Sequence, residues 1–444
     1  MMPLTPPTAR TYAWLALGTL AFILYGSLVP FEFRARSDGD VLEAFTWAMT
    51  QRLHIESRSD ALANILLGVP LGFSLLAWTC VDRGSWRREV ILGLAFLPGC
   101  VAFSALVEFL QLYCPQRTCA GSDVLMQGIG TIIGMTGWMA VGQTVTMQAR
   151  RLWAGPGIGG SAGRMLVVYL GVLASLQALP LDLTLSPRDV YKNLRDKVHY
   201  TPFGEFRGLK SEAEFWDHAT ARIATLGIYL PVGLLAGCMP GRFWQTGSNA
   251  GRIFALALGL GAVMEGIQVF VMSRLPNSSD ALIGAASVVL GWWLARNVRD
   301  RKAVLVLGCV WAFLLFVVYW QPYAFSATLG RVEWLVLLPL ENRNPFTALG
   351  DLLSKLVLFS LLGVVVAALT RGQSARVRLV KAAATGLGVS LGIELGQLFQ
   401  PAHTPSATDV TLGGVGAWFG ATAALRVCPD SALLSRLNPR RVLN

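Results

Sequence analysis

The stretch EFLQLYCPQRTCAGSD, residues 108–123, decides how this chain is read, because it returns as EGIQVFVMSRLPNSSD at 265–280 and as ELGQLFQPAHTPSATD at 394–409. In each copy a Gln follows the Glu by three residues and an Asp follows it by fifteen. A basic or titratable residue stands nine after the Glu (Arg117, Arg274, His403), and a glycine stands twenty-six after it (Gly134, Gly291, Gly420). Self-similarity at fixed spacing marks a repeated architecture. The same polar residues are also the only evident site chemistry.

Each copy sits at the edge of apolar sequence. The 444 residues are 54% hydrophobic and 14% charged, well below the roughly 25% charged of soluble domains. The apolar residues gather into twelve runs, at 13–29, 61–80, 90–112, 123–143, 165–179, 221–239, 252–272, 281–295, 303–320, 352–370, 379–399 and 410–425. Most approach the roughly 20 residues a bilayer span needs. The expected class is therefore all-α: a polytopic membrane protein with about twelve transmembrane helices. The first run follows Arg10 and lacks a small-residue cleavage site, so it reads as a retained helix.

A net charge of +11 invites a nucleic-acid reading, but its distribution points elsewhere. The even-to-odd connections and both termini, with the flanking Arg252 and Lys381, hold 21 of the 37 Lys and Arg and only four acids. The rest of the chain holds 16 bases and 22 acids. That asymmetry is the positive-inside pattern, and it places both termini in the cytoplasm. The implied partner is the lipid bilayer, not nucleic acid.

The repeat divides the chain into units at 1–150, 165–296 and 303–427, with a cytoplasmic tail at 428–444. Four helices per unit is an even number, so the units are parallel and not inverted. In each unit the first helix runs into a proline motif, beginning at Pro30, Pro180 or Pro322. A long outer segment follows, then the second helix, a basic turn, and a third helix that ends on the Glu and Gln. A short outer loop leads to the Asp and the fourth helix. Gly130/Gly134, Ser287/Gly291 and Gly416/Gly420 put small residues four apart on the fourth helices, a face that lets a neighbouring backbone approach closely.

Two readings of the polar sets stand open. In the first, Asp123, Asp280 and Asp409 cap the fourth helices. Each Glu (Glu108, Glu265, Glu394) then pairs with the Arg or His nine residues on, and the set locks a helix hairpin. In the second, the carboxylates, with Gln111, Gln268, Gln397, Arg117, Arg274 and His403, line an outer-face pocket. Ionisable groups near hydrocarbon are costly and are by default a functional hypothesis. Glu108 and Asp123 are then the candidates for acid–base work, and the arginines for gripping a phosphate or carboxylate. The first unit has the fuller set, because Asp60 and Asn64 enter its second helix.

The remaining signals are weaker. His54, His199 and His218 lack metal-ligand spacing, and no sequence motif asks for a metal or a cofactor. Cys114 and Cys119 flank a short outer loop and read equally as a disulfide or as two thiols. The outer segments 31–60, 181–220 and 323–350 mix aromatic and charged residues, as interfacial helices do.

The stretch from Tyr25 to Phe31, the stretch from Asp60 through Asn64 and Pro70 to Phe73, and Glu108 with Gln111, Arg117 and Asp123 resemble the VanZ-like family of bacterial membrane proteins. The first unit is the most similar. The third has Lys355 in place of Asn64 and His403 in place of the arginine, and the second has Thr225 at the Asn position. The resemblance implies a cell-envelope setting and, through the family name, glycopeptide antibiotic resistance; it implies no reaction. The expected function is action at the outer face on an envelope glycan, a lipid-linked precursor or a glycopeptide. A non-catalytic scaffold and a transporter of such a component are the alternatives, and whether the protein is an enzyme stays open.

Overall fold

The computed structural model describes residues 7–427 except 29–32, 36, 51–57, 84, 116, 155–159, 181, 185, 241, 328–329, 331 and 333–344. Pro30, His54, the glycine-rich linker at 155–159 and the tail 428–444 lie outside the described residues. Among those described, twelve helices are long and apolar enough to cross a membrane. They are α1 (Ala9–Leu28), α2 (Arg58–Cys80), α3 (Trp86–Gln111), α4 (Gly121–Gly137, continuing through a π-turn), α5 (Ser161–Ala178) and α6 (Glu212–Gly237). The others are α7 (Ala250–Val269), α8 (Ser278–Asn297), α9 (Arg301–Tyr319), α10 (Pro345–Leu369), α11 (Ala375–Gln397) and α12 (Ala407–Val427). All twelve apolar runs are helices, and the all-α, polytopic class holds.

Several helices begin before their apolar run. Helix α6 starts at Glu212, nine residues ahead of the run, because Ser211 caps it: the Ser211 hydroxyl accepts from the Glu214 amide at 3.2 Å. Acidic Glu212 and Glu214 in that first turn suit the positive end of the helix dipole. Hydropathy marks the part inside lipid, and capping marks where the helix begins.

The chain forms two compact bodies. One comprises residues 1–155 with the short pieces 181–185 and 340–346, and the other comprises 156–180, 186–339 and 347–444. In the first body α2 and α4 meet backbone to backbone. A methyl group built on Gly134 would collide with the carbonyl oxygen of Val69, and one on Gly72 with that of Thr131. In the second body α6 and α8 meet the same way at Gly233 and Gly291, and α10 and α12 at Gly363 and Gly420. Lipid tails are as apolar as the helices, so close packing of this kind is what holds membrane helices together. The small-residue faces on the fourth helices are thus the seams with the second helices.

Aromatic cores complete each body. Tyr12, Phe73 and Trp138 meet edge to face at 5.4–6.3 Å in the first. At that end of the helices Arg150 forks onto both Asp82 oxygens at 2.5 and 2.8 Å and also donates to the Pro7 carbonyl at 2.8 Å. In the second body Trp311 packs with Leu358 and Phe359, and its indole donates to the Leu358 carbonyl at 3.0 Å.

Candidate functional site

Each Glu closes the last turns of a helix and turns its carboxylate toward the start of the next. Glu108 Oε2 accepts from the Ala120 amide at 2.9 Å, Glu265 Oε2 from the Asn277 amide at 2.8 Å, and Glu394 Oε2 from the Ser406 amide at 2.8 Å. The three acceptors are 5%, 9% and 6% exposed. In every case the donor directly precedes α4, α8 or α12. A helix begins with amides that have no intrahelical partner, and here a carboxylate from the preceding helix supplies a partner just ahead of that turn.

This replaces the expected ion pair. The residue nine after the Glu reaches for the end of its own unit's first helix instead. Arg117 Nη2 donates to the Gly26 carbonyl at 3.2 Å. Arg274 Nε and Nη2 donate to the carbonyls of Leu179 at 2.9 Å and Leu176 at 3.1 Å. His403 Nε2 meets the Gln321 carbonyl at 2.7 Å, so that nitrogen carries the proton. Leu179 and Gln321 are the residues just ahead of the motif prolines, joined to them by cis peptide bonds. Cations are favourable at a helix C-terminus, where unpaired carbonyls and the dipole are both negative. Burial pushes the Arg117 pKa below the ordinary arginine value, which is consistent with a guanidinium turned inward.

The glutamines bind the same helix ends. Gln111 Nε2 donates to the Ser27 carbonyl at 3.1 Å and Gln397 Nε2 to the Tyr319 carbonyl at 2.8 Å. Gln268 Nε2 donates to Gln177 Oε1 at 2.8 Å and to Glu265 Oε1 at 3.1 Å. Gln111 Oε1 is buried with no hydrogen-bond partner among the described residues.

The aspartates differ from the expectation of a cap. The residue ahead of the helix is Ala120, Asn277 or Ser406, and the Asp is the third helical residue. Asn277 and Ser406 do the capping, accepting from the amides of Ser279 at 2.9 Å and Thr408 at 3.1 Å. The side chains of Asp280 and Asp409 instead face the second helix of their own set. Asp280 takes a hydrogen bond from Thr225 at 2.7 Å and an ion pair from Arg222, both on α6. Asp409 is ion-paired with Lys355 on α10. These aspartates keep 22% and 26% of their side-chain surface exposed. Thr225 and Lys355 hold the register position that Asn64 holds on α2; Asn64 and Asp123 are half-buried there, and Asp60 is exposed.

Sequence reasoning missed Arg222 and its second partner, Glu205. Arg222 Nε lies 3.5 Å from Glu205 Oε1, and Ser279 donates to Glu205 Oε2 at 3.1 Å. Burial pushes the Glu205 carboxyl up, but its own backbone amide, Ser279 and the Arg222 charge outweigh that and hold it below the usual carboxylate range. The signal was present: an arginine in the first turns of an apolar run is rare enough to single out. Cys114 and Cys119 are free thiols in the structure. Burial and the neighbouring Glu108 and Asp123 charges push the Cys119 thiol up to about 12.

Twelve apolar helices among the described residues, several with ends tied by side chain–backbone bonds, define a multi-pass α-helical membrane protein, whose surroundings are a lipid bilayer. The VanZ/LLP1 family profile matches residues 10–142 and 304–428, more than half of the chain, and the protein belongs to that family. Comparison with curated proteins and with solved structures gave no match.

Proposed function

We propose that the protein acts at the outer face of the bacterial cytoplasmic membrane on a cell-envelope component: a glycan, a lipid-linked precursor or a glycopeptide. The chain is then three VanZ-like units, 1–150, 165–296 and 303–427, with both termini and the 428–444 tail in the cytoplasm. The basic turns and acidic opposite face support that orientation. One observation carries the site reading. Each polar set has a sealed end and an open end: the Glu is nearly buried, while Asp280 and Asp409 keep about a quarter of their surface accessible. The ligand would meet the open end, at Asp123, Asn64 and Asp60 in the first unit and at the matching positions of the others. Glu108, Gln111 and Arg117, with Glu265, Gln268, Arg274, Glu394, Gln397 and His403, frame it from beneath.

A non-catalytic scaffold is the second reading. It is favoured by the donors of Gln111, Arg117, Arg274 and Gln397, which go to backbone carbonyls of the protein itself. The two separate in Asp123→Asn, Glu108→Gln and Arg117→Ala, each assayed for membrane abundance and for envelope phenotype, including glycopeptide sensitivity. Loss of phenotype in Asp123→Asn at normal abundance supports the site. Loss of phenotype only in step with abundance, in all three, leaves the scaffold.

A further inference from the structure

The acid-biased side of the chain has one exception. Of the 16 bases outside the basic turns, six lie within residues 187–210: Arg188, Lys192, Arg195, Lys197, Arg207 and Lys210. The same stretch has three acids, Asp189, Asp196 and Glu205, and Glu205 is already engaged by Arg222 and Ser279. Topology does not call for positive charge here.

The stretch is a strap fixed to the ends of membrane spans. A short helix, Pro187–Lys192, runs into a π-turn, Asn193–Lys197. Buried Asn193 donates from Nδ2 to the Val269 carbonyl at 2.9 Å, the last residue of α7, and Lys197 Nζ donates to the Met272 carbonyl at 2.5 Å. The His199 amide then donates to the Pro276 carbonyl at 2.9 Å, and the Ser278 amide returns to the His199 carbonyl at 3.0 Å. These ties hold the strap at the level where α7 ends and α8 begins, the water–lipid boundary of a spanning helix pair.

Its free side is aromatic and cationic together. Tyr191 and Tyr200 are 63% and 65% exposed, and Leu194 and Phe203 are exposed beside them. Arg188, Lys192 and Arg195 are exposed on the same short helical stretch, with Arg195 only loosely paired to Asp196 at 3.8 Å. Tyrosine prefers the headgroup layer, and basic residues near a membrane surface attract anionic lipid. We propose that the strap 187–203 is a docking surface for anionic phospholipid headgroups, with Arg188, Lys192 and Arg195 on the phosphates and Tyr191, Leu194, Tyr200 and Phe203 in the interface. The proposal rests on the outer-face reading above only for which leaflet is meant.

Hydrogen–deuterium exchange of the full-length protein in nanodiscs tests it. Three conditions are compared: phosphatidylcholine alone, phosphatidylcholine with phosphatidylglycerol, and phosphatidylcholine with inorganic phosphate in solution. Both leaflets carry the same lipid, so a wrong orientation leaves the result untouched. Exchange at 187–203 slows by about fivefold or more in the phosphatidylglycerol discs alone, the scale of one cation–membrane contact. The triple variant Arg188→Gln, Lys192→Gln, Arg195→Gln loses that slowing while α7 and α8 exchange as in the parent, which excludes misfolding. Equal exchange in the two lipids, or equal slowing by soluble phosphate, overturns the proposal.

Discussion

The carboxylate of Glu108 accepts the backbone amide of Ala120 at 2.9 Å, and Ala120 is the residue from which α4 starts. The same relationship joins Glu265 to Asn277 and Glu394 to Ser406. The bond at Ala120 is partly buried and the other two are buried; an amide left without its acceptor there costs about 1–3 kcal/mol, so these bonds position the fourth helices.

The arginine contacts give a graded expectation. Arg274 binds two helix-end carbonyls, and truncating it leaves both without their cation. Hydrogen bonds to charged groups contribute about 1.5–3 kcal/mol, so Arg274→Ala lowers the unfolding midpoint in detergent. Arg274→Lys, which keeps the charge but not the fork, falls between Ala and the parent.

The glycine seams supply their own controls. Gly134→Leu and Gly291→Leu force a side chain into the backbone of the facing helix and reduce folded protein in the membrane sharply. Gly137→Leu and Gly266→Leu, where a methyl group meets nothing within 4 Å, are tolerated. Quantifying detergent-extracted, monodisperse protein distinguishes the two pairs.

Glu205 gives a pH dependence. Its carboxyl is held below the usual carboxylate range when folded, so its contribution is present above the unfolded value of about 4.3. That contribution is lost as pH falls through the folded value. The stability difference between the parent and Glu205→Gln is therefore constant near neutrality and shrinks below about pH 4. A difference that grows on acidification contradicts the assignment.

Cys119 is a thiol with its pKa pushed up to about 12. The thiolate is the reactive form, so a water-soluble maleimide modifies Cys119 slowly at pH 8 in the folded protein and rapidly after unfolding. Rapid modification of the native protein contradicts the enclosed, acid-flanked position.

Much of this was legible in the sequence. Hydropathy located all twelve spans, and the glycine spacing located the faces that meet, because both are written in side chains. The targets of Glu108 and Arg117 were not legible. They are a backbone amide and a backbone carbonyl, groups that nearly every residue carries, so nothing at Ala120 or Gly26 signals its role. The aspartates misled for a related reason: an Asp after a Ser or Thr suits a cap, but Asn277 and Ser406, three residues earlier, already serve. That frees Asp280 and Asp409 for Arg222, Thr225 and Lys355.

The central claim is that the repeated Glu acts first as an acceptor for the amide that begins the next helix. The most direct measurement compares the unfolding midpoint and membrane abundance of Glu108→Gln and Glu108→Ala. A Gln retains an acceptor oxygen within reach of Ala120, so Glu108→Gln stays close to the parent while Glu108→Ala loses about 1–3 kcal/mol. Equal stability of the two variants would contradict the account.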